Sequence, residues 1–275
     1  MAELHRSLDT QRSYNTVAPV SYESSHGVAT ITLDRPTVLN ALDTDLAATL
    51  AECTERAAGD PAVAMVVVRG RGRAFCSGMD RTALAAGTIG EAFFRHWIRA
   101  LNCLEDMAKV SIAVLHGYSI GGGLQLALAC DLRLATDDAV IGLGATRHGI
   151  IPDGAVLRLA RIVGLGRAKE LTLLNDNVSP ADARAMGLVN WVCPAAEIEA
   201  TLATILAKAR TASPTANAHA KRLLQRSFHE DPRSLIEPVL QALHECMASW
   251  ETAEANRAWQ EKREAVFVPD RGPDV

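Results

Sequence analysis

The segment Gly121-Gly122-Gly123 could place backbone N–H groups against a bound carbonyl group. Glycine allows close approach of the backbone, and the first turn of a helix has unpaired N–H groups with a partial positive charge. A predicted strand precedes these glycines and a predicted helix follows them, so the segment could stabilise an oxygen atom on which negative charge develops. The same glycines could also serve only close packing of a strand and a helix, so alone they do not identify a catalytic site.

The overlapping segment Gly117–Gly121 matches a different catalytic motif, G-x-S-x-G, with Ser119 at its centre. This motif forms the nucleophile elbow of α/β-hydrolases, which also need an acid and then a histidine on loops after later strands. The histidines His219, His229 and His244 all lie in a region predicted to be helical. The sequence therefore disfavours a serine esterase.

Strands and helices alternate along the first half of the chain. Predicted strands cover residues 27–33, 63–68, 111–115, 132–135 and 140–141, and predicted helices begin near Asp43, near Glu91 and after Gly123. The run 63–68 is continuously apolar, as is typical of a strand buried on both faces. This alternation with crossover connections predicts the α/β fold class.

The second half of the chain is predicted to be mainly helical. Ser179-Pro180-Ala181-Asp182 is a strong helix start, and no strand is predicted after Pro194. A later helix, from about Ile236 to Trp250, has a wide apolar face that could pack on the core or on another subunit. We expect a flexible N-terminal arm (1–17), a core (18–195) and a helical region (196–275).

Composition limits the possible functions. The 275 residues are 48% hydrophobic and 22% charged, as in a globular rather than a disordered protein. The net charge of -4 provides no general attraction to nucleic acid or to an anionic membrane. The six cysteines are scattered, which favours reduced thiols over disulfides or a zinc site. With no apolar leader and no run long enough to span a bilayer, we expect a cytoplasmic protein with no metal, no nucleic-acid partner and no membrane partner.

Four segments, taken together, resemble the signatures of one enzyme family. Residues 73–80 (RAFCSGMD) resemble the pattern F-[CAS]-[AS]-G-x-D, and residues 116–126 (HGYSIGGGLQL) resemble N-G-x-x-x-G-G-G-x-x-L with His in place of Asn. Residues 149–155 (GIIPDGA) resemble a G-[LI]-x-P-x-x-G turn, and residues 258–267 resemble an A-F-x-E-K-R-x-P-x-F ending. In this order, over about residues 18–268, they resemble the crotonase (enoyl-CoA hydratase/isomerase) family.

The resemblance implies a fold, an assembly and a substrate class. Members of the crotonase family form a spiral of ββα turns followed by a helical trimerisation region, and they assemble as homotrimers or dimers of trimers. Their substrates are acyl-CoA thioesters, so coenzyme A is expected as part of the substrate, with no separate cofactor. The N–H groups of Met79 and Gly122 would form an oxyanion hole around the thioester oxygen, where the enolate charge appears.

The resemblance also assigns residues that would contact the substrate. The expected contacts are Arg35, Leu39, Ala41, Cys76, Ser77, Gly78, Asp80, Gly121, Gln125, Ala145 and Lys262. Arg71 and Arg73 are further candidates for the CoA phosphates, although any one of these basic residues alone is more often a solvated surface charge.

The departures from the family pattern bear on the reaction. Hydratases of this family use two glutamates as base and acid, and the matching positions here hold Gln125 and Ala145. Neither side chain can act as a carboxylate, so hydration by that mechanism is not expected. Asp153 matches the acid of several enoyl-CoA isomerases and the nucleophile of 4-chlorobenzoyl-CoA dehalogenase, although Asp is also common in turns.

The leading hypothesis is an enoyl-CoA isomerase in which Asp153 moves the proton. The alternatives are a hydratase-like lyase, a hydrolase or dehalogenase with Asp153 as nucleophile, and a non-catalytic protein that binds acyl-CoA. His96 is the candidate base for the nucleophilic route, and His148 adjoins the same turn as Asp153 but is interpreted as a packing variant. The stretch 82–108, with Phe93, Phe94 and Trp97, is expected to line the acyl pocket.

Overall fold

The structure, a computed structural model, describes residues 18–267. The predicted N-terminal arm (1–17) and the end of the helical region (268–275) lie outside the described residues.

Nine strands and eleven α-helices make up the described chain. The strands are β1 (Val20–Ser25), β2 (Val28–Leu33), β3 (Met65–Gly70), β4 (Ala74–Cys76), β5 (Val110–Leu115), β6 (Tyr118–Ile120), β7 (Leu132–Thr136), β8 (Val140–Gly142) and β9 (Trp191–Cys193). The helices are α1 (Thr44–Gly59), α2 (Arg81–Ala85), α3 (Glu91–Asp106), α4 (Gly122–Ala129), α5 (Asp153–Val156), α6 (Leu159–Leu174), α7 (Pro180–Ala185), α8 (Ile198–Arg210), α9 (Pro214–Arg226), α10 (Ile236–Met247) and α11 (Trp250–Glu261).

The strands form two sheets that the chain visits in turn. The larger sheet has the order β1-β2-β3-β5-β7-β9, in which only β1 and β2 are antiparallel. The smaller sheet is parallel, with the order β4-β6-β8. Each strand of the smaller sheet follows directly after one of the larger sheet, and a helix then leads back. This repetition is a spiral of ββα turns and confirms the predicted α/β fold class.

The core between these layers confirms the predicted apolar patterns. The face of α1 formed by Leu46, Leu50, Cys53 and Ala57 is buried. Asp43 caps the start of this helix, and its side chain accepts the Leu46 N–H at 2.8 Å. α1 packs mainly against α3. Burial of these apolar side chains removes them from water and holds the helices on the sheet.

Several strand boundaries differ from the predicted ones. β3 begins at Met65 rather than Val63, because the Val63 N–H closes a turn on the Asp60 carbonyl at 3.1 Å. β1 was not predicted, and β4, β6 and β9 are three residues long. So short a strand contains too few alternating positions to produce a recognisable pattern.

The C-terminal part of the described chain is helical from α8 onward, and no strand follows β9 within residues 18–267. The apolar face of α10 is exposed, with Leu243 52% and Met247 72% accessible. This face is therefore not covered by the chain's own core, and its role in assembly stays a prediction. None of the helices within residues 18–267 is both long and apolar enough to cross a membrane.

Candidate active site

A cavity of about 360 Å³ lies between the smaller sheet, α3 and the start of α5. Its wall includes the end of β4 and the start of α4, where the glycine-rich segments 77–79 and 120–122 face each other. Residues of the segment 143–153 also line the cavity. The cavity therefore brings together residues that are far apart in the sequence.

Two backbone N–H groups at this wall have no protein acceptor in the part of the chain that the structure describes. Met79 is held beside Leu42, because the Leu42 N–H donates to the Gly78 carbonyl at 2.8 Å and the Asp80 N–H donates to the Leu42 carbonyl at 2.8 Å. These bonds leave the Met79 N–H itself unpaired. The Gly122 N–H is unpaired because Gly122 is the first residue of α4.

Close packing explains why glycines occupy this wall. A Cβ atom on Gly78 would lie 2.9 Å from the Ile120 carbonyl oxygen and 3.4 Å from the Gly122 nitrogen. A Cβ atom on Gly123 would lie 2.2 Å from the Cys76 carbonyl oxygen. The two segments can approach each other only without side chains, and that approach brings the Met79 and Gly122 N–H groups to the same cavity.

Asp153 lines the cavity at the first turn of α5. Its Oδ2 atom is buried and has no hydrogen-bond partner among the described residues. Burial raises the pKa of the Asp153 carboxyl above its ordinary value, although the Gly154 N–H, its own N–H and the charge of Arg158 each act to lower it. A carboxyl group in this setting can take up and return a proton more readily than a solvated aspartate.

Arg158 forms a hydrogen bond to the turn that carries Asp153. Its guanidinium donates to the Gly154 carbonyl at 3.2 Å and to Asn102 Oδ1 at 2.9 Å, and it pairs with Glu105 at 2.5 Å. The arginine is buried, and its pairing with Glu105 offsets much of its charge. The burial of Asp153 outweighs this neighbouring cation, so the pKa of its carboxyl stays raised.

Aromatic side chains of α3 form the apolar part of the cavity. Phe93 and Trp97 are almost fully buried, with ring centroids 6.3 Å apart and an angle of 14° between the planes. Phe94 meets Phe93 edge-on at 5.2 Å. All three line the cavity, as predicted for the acyl pocket, and they fix its shape because stacked aromatic rings resist rearrangement.

Comparison with known proteins agrees with this geometry. The model of the family described as enoyl-CoA hydratase/isomerase matches residues 23–269. The chain belongs to that family. The short-chain-enoyl-CoA hydratase of Clostridium acetobutylicum is 30% identical over 92% of this chain and 98% of its own. The crotonyl-CoA hydratase of Syntrophomonas wolfei is 31% identical over 90% of this chain and 96% of its own.

Solved structures share this fold. Pseudomonas aeruginosa DspI superposes with a TM-score of 0.83 at 30% identity, covering 93% of this chain and 98% of its own. An enoyl-CoA hydratase from Bacillus anthracis superposes with a TM-score of 0.84 at 28% identity, covering 90% of this chain and 98% of its own. The crotonase resemblance seen in the sequence motifs is thereby confirmed.

The structure brings most of the predicted site residues of this crotonase-family chain to one cavity. Those that line it are Met79, Gly122, Asp153, Ser77, Gly78, Gly121, Gln125, Ala145 and His148. Those that do not are Arg35, Leu39, Ala41, Cys76, Asp80, Lys262 and His96. The first group surrounds one cavity, and the second group lies outside its lining, so the substrate contacts predicted for both groups stay predictions.

Several residues of the second group are already engaged within the protein. Arg35 pairs with Asp43 at 2.9 Å and with Asp80 at 3.3 Å, and it donates to the Ala41 carbonyl at 2.6 Å. Burial raises the pKa of the Cys76 thiol to about 12, which makes this residue a packing group rather than a nucleophile. Arg35 therefore braces the loop that precedes α1, and its predicted phosphate contact would have to compete with these partners.

The remaining candidate cations lie at the surface. Arg71 is paired with Asp34 at 2.9 Å, whereas Arg73 and Lys262 have exposed side chains and no ion pair with any described residue. Among these candidates, Arg73 and Lys262 are therefore the two without a carboxylate partner in the described chain, and their contact with CoA phosphates stays a prediction.

The two candidate histidines are placed differently. His96 is half-buried on α3 and does not line the cavity, so the structure provides no contact between it and Asp153. His148 is exposed and lines the cavity, which differs from the prediction that it is a packing variant. Ser119 is completely buried, outside the cavity lining, and its Oγ has no partner among the described residues, so it cannot serve as an esterase nucleophile.

Asn40 has a structural role that is not predicted from the sequence. Its Nδ2 donates to the Arg71, Ala74 and Phe75 carbonyls at 3.0, 2.8 and 3.2 Å. Its Oδ1 accepts the Arg35 N–H at 2.8 Å, and its φ is +55°. Asn tolerates this left-handed conformation better than most residues, which is the one signal in the sequence that could have indicated its role.

Replacing Asn40 by Asp is expected to lower the free energy of unfolding by roughly 3 kcal/mol, because a carboxylate would face three buried carbonyl oxygens without a donor. Asn40→Gly is the matched control, since it removes the same bonds but accommodates the positive φ without an added charge. Urea unfolding of the three proteins measures the difference. An Asp variant as stable as the wild type would contradict this account of the loop.

Proposed function

We propose that this member of the enoyl-CoA hydratase/isomerase family is an enoyl-CoA isomerase, which moves a double bond within an acyl-CoA thioester. The observation that supports this most strongly is that Asp153 is the only carboxylate among the described residues that line the cavity. The positions of the two hydratase glutamates hold Gln125 and Ala145, which line the same cavity. One carboxylate is sufficient for isomerisation but not for two-glutamate hydration.

The proposed reaction begins with removal of a proton from C2 of a 3-enoyl thioester. The Asp153 carboxylate takes this proton and becomes a carboxylic acid, while the electron pair of the C–H bond moves into the thioester to form a dienolate. The acid then returns the proton to C4, and the double bond between C3 and C4 is replaced by one between C2 and C3. Asp153 ends as the carboxylate, so no other reactant is needed.

The N–H groups of Met79 and Gly122 would stabilise the dienolate oxygen. Both donors are unpaired in the described chain, so they need not break a protein hydrogen bond before they donate to the substrate oxygen. Such donors act most strongly where negative charge develops, because they are already oriented and lie in a site with little water. The apolar wall of Phe93 and Trp97 would exclude water from the intermediate.

The first test is incubation of the purified protein with 3-enoyl-CoA and 2-enoyl-CoA in deuterated water. The expected result is interconversion of the two substrates with deuterium at C2 or C4, detected by mass spectrometry and NMR, and without 3-hydroxyacyl-CoA. Formation of the hydroxy product would instead indicate a hydratase, and release of free CoA would indicate a hydrolase. Binding of acyl-CoA without exchange at any carbon would indicate a non-catalytic protein.

We also propose that the protein assembles as a homotrimer or a dimer of trimers. The exposed apolar face of α10, which includes Ile236, Leu240 and Leu243, supports this proposal because a face of this kind is stabilised by burial against another surface. Light scattering on the purified chain measures the mass of the assembly. A monomeric mass would contradict the proposal.

A further inference from the structure

We propose that Gln125 is the positioning residue for Asp153: its amide oxygen binds the Gly154 N–H and competes with the Asp153 carboxylate for this donor. The inference rests on the proposed function, in which Asp153 moves the proton. It assigns a role to Gln125, which stands where hydratases of the family have a catalytic glutamate.

The hydrogen bond that carries the inference is short and buried. Gln125 Oε1 accepts the Gly154 N–H at 2.6 Å. Gly154 directly follows Asp153, and its N–H also lies close enough to the Asp153 carboxyl to favour the charged form of that group. The Gln125 amide oxygen and the Asp153 carboxyl therefore face the same donor, the Gly154 N–H, and the Gln125 oxygen forms the hydrogen bond with it.

The consequence for Asp153 is visible in its own contacts. Its Oδ2 atom is buried and has no hydrogen-bond partner among residues 18–267. Each hydrogen bond that a carboxylate accepts stabilises its charged form and makes it a weaker base, so an oxygen without a donor favours basicity. By competing for the Gly154 N–H, Gln125 preserves the basicity that proton removal from C2 requires.

Packing fixes the two helices that carry these residues. A Cβ atom on Gly154 would lie 2.6 Å from Leu101 Cδ1 and 2.9 Å from Gln125 Oε1, so the start of α5 lies directly against α4. Gln125 follows Gly122 by one helical turn on α4, and residues at this spacing lie on the same face. One helix therefore carries both the Gly122 N–H group and the contact that orients Asp153.

Other charges also face Asp153 and must be counted in any pH effect. Arg158, at the start of α6, favours its charged form, and Glu105 of α3 pairs with Arg158 and reduces that influence. His148 and Arg81 line the cavity from the segment after β8 and from α2. These groups are unchanged in variants of Gln125, so a difference between such variants reports on position 125.

The test compares two neutral variants with one charged variant. Gln125→Met and Gln125→Leu remove the acceptor, so the Gly154 N–H is released to Asp153 and the Asp153 pKa should fall by about one unit. Gln125→Glu keeps an acceptor but adds a negative charge, so the Asp153 pKa should rise. Gln260→Glu, at an exposed position on α11, is the control for added charge.

Two readouts separate this inference from the proposed function. NMR titration of protein labelled with ¹³C at the aspartate carboxyls, with Asp153→Asn identifying the signal, measures the pKa without any substrate. The pH dependence of kcat/KM for 3-enoyl-CoA should move in the same directions, and kcat of the neutral variants should fall by about 10-fold. Opposite pKa shifts in the neutral and charged variants would support the positioning role.

An unchanged Asp153 titration in both neutral variants would overturn the inference, even if their activity were reduced, because it would show a purely structural role. If the wild type catalyses no isomerisation, the proposed function fails, while the NMR titration still decides whether Gln125 controls Asp153. If one neutral variant does not fold, the other provides the same comparison.

Discussion

Asp153→Asn is expected to lower kcat for 3-enoyl-CoA isomerisation by about 10³-fold, within the range found for loss of a general base. The asparagine amide has nearly the same shape but cannot take a proton from C2. Because the Met79 and Gly122 N–H groups are unchanged, affinity for the acyl-CoA should change little. Stopped-flow absorbance for the reaction and calorimetry for binding measure the two quantities. Asp138→Asn, at an exposed turn, is the control, and equal activity of the Asp153 variant and wild type would rule out Asp153 as the base.

The same substitution should increase stability at neutral pH. Burial raises the Asp153 pKa, so between the unfolded pKa of about 3.9 and the higher folded pKa the native state binds more protons than the unfolded state. The free energy of unfolding therefore decreases as the pH rises through that interval, and it stays lower above it. Asn removes this penalty, so the variant should melt at a higher temperature than wild type at pH 7. The difference should disappear below the unfolded pKa.

Gly123→Ala is expected to lower kcat by about 10²-fold, comparable to loss of one oxyanion donor. The added methyl group would lie 2.2 Å from the Cys76 carbonyl oxygen and 2.9 Å from Cys76 Cβ, so β4 and the start of α4 must separate. Met79 follows β4 and Gly122 begins α4, so this separation would move the two N–H groups apart. The effect on catalysis should exceed the effect on the affinity for the acyl-CoA.

Gly166→Ala is the matched control, because no atom lies within 4 Å of the added methyl group. Gly122→Ala is a second variant with a different obstacle, since its methyl group would meet Leu42 Cδ1 at 2.3 Å, and that side chain can move. Steady-state kinetics and thermal melting are measured on all three. A Gly123 variant that melts like the wild type and keeps its full kcat would contradict the role assigned to this close approach.

The sequence predicts well those helices and strands that have a long apolar pattern. It predicts poorly the short strands, which form because they pair with distant segments of the chain. The buried faces of α1 and of strand β3 follow from apolar periodicity, which a single segment contains in full. β4 and β6 are too short to be identified in this way, although they form the sheet on which the cavity is built. The predicted strand start at Val63 is wrong because a turn at Asp60 determines where the strand begins.

The candidate site, like the fold, can be predicted only in part from the sequence. Motif resemblance brought Met79, Gly122 and Asp153 together as a group, and the structure places all three around one cavity. The hydrogen bond between Gln125 and Gly154 could not be predicted, because it depends on how closely α4 and α5 pack. The position of His96 outside the cavity likewise depends on the rotation of α3, which a helical pattern does not specify to within one residue.

The order of the larger sheet has a consequence for the synthesis of the chain. From β2 to β9 each strand pairs with the strand of that sheet that precedes it in the sequence, so the sheet can grow in one direction as the polypeptide leaves the ribosome. The segments that carry Met79 and Gly122 are complete once α4 has emerged. The segment that carries Asp153 emerges before β9, which then pairs with β7 as the last strand of the larger sheet. A nascent chain arrested before Trp191 is therefore expected to contain every described residue that lines the cavity and to lack only the last strand of the larger sheet.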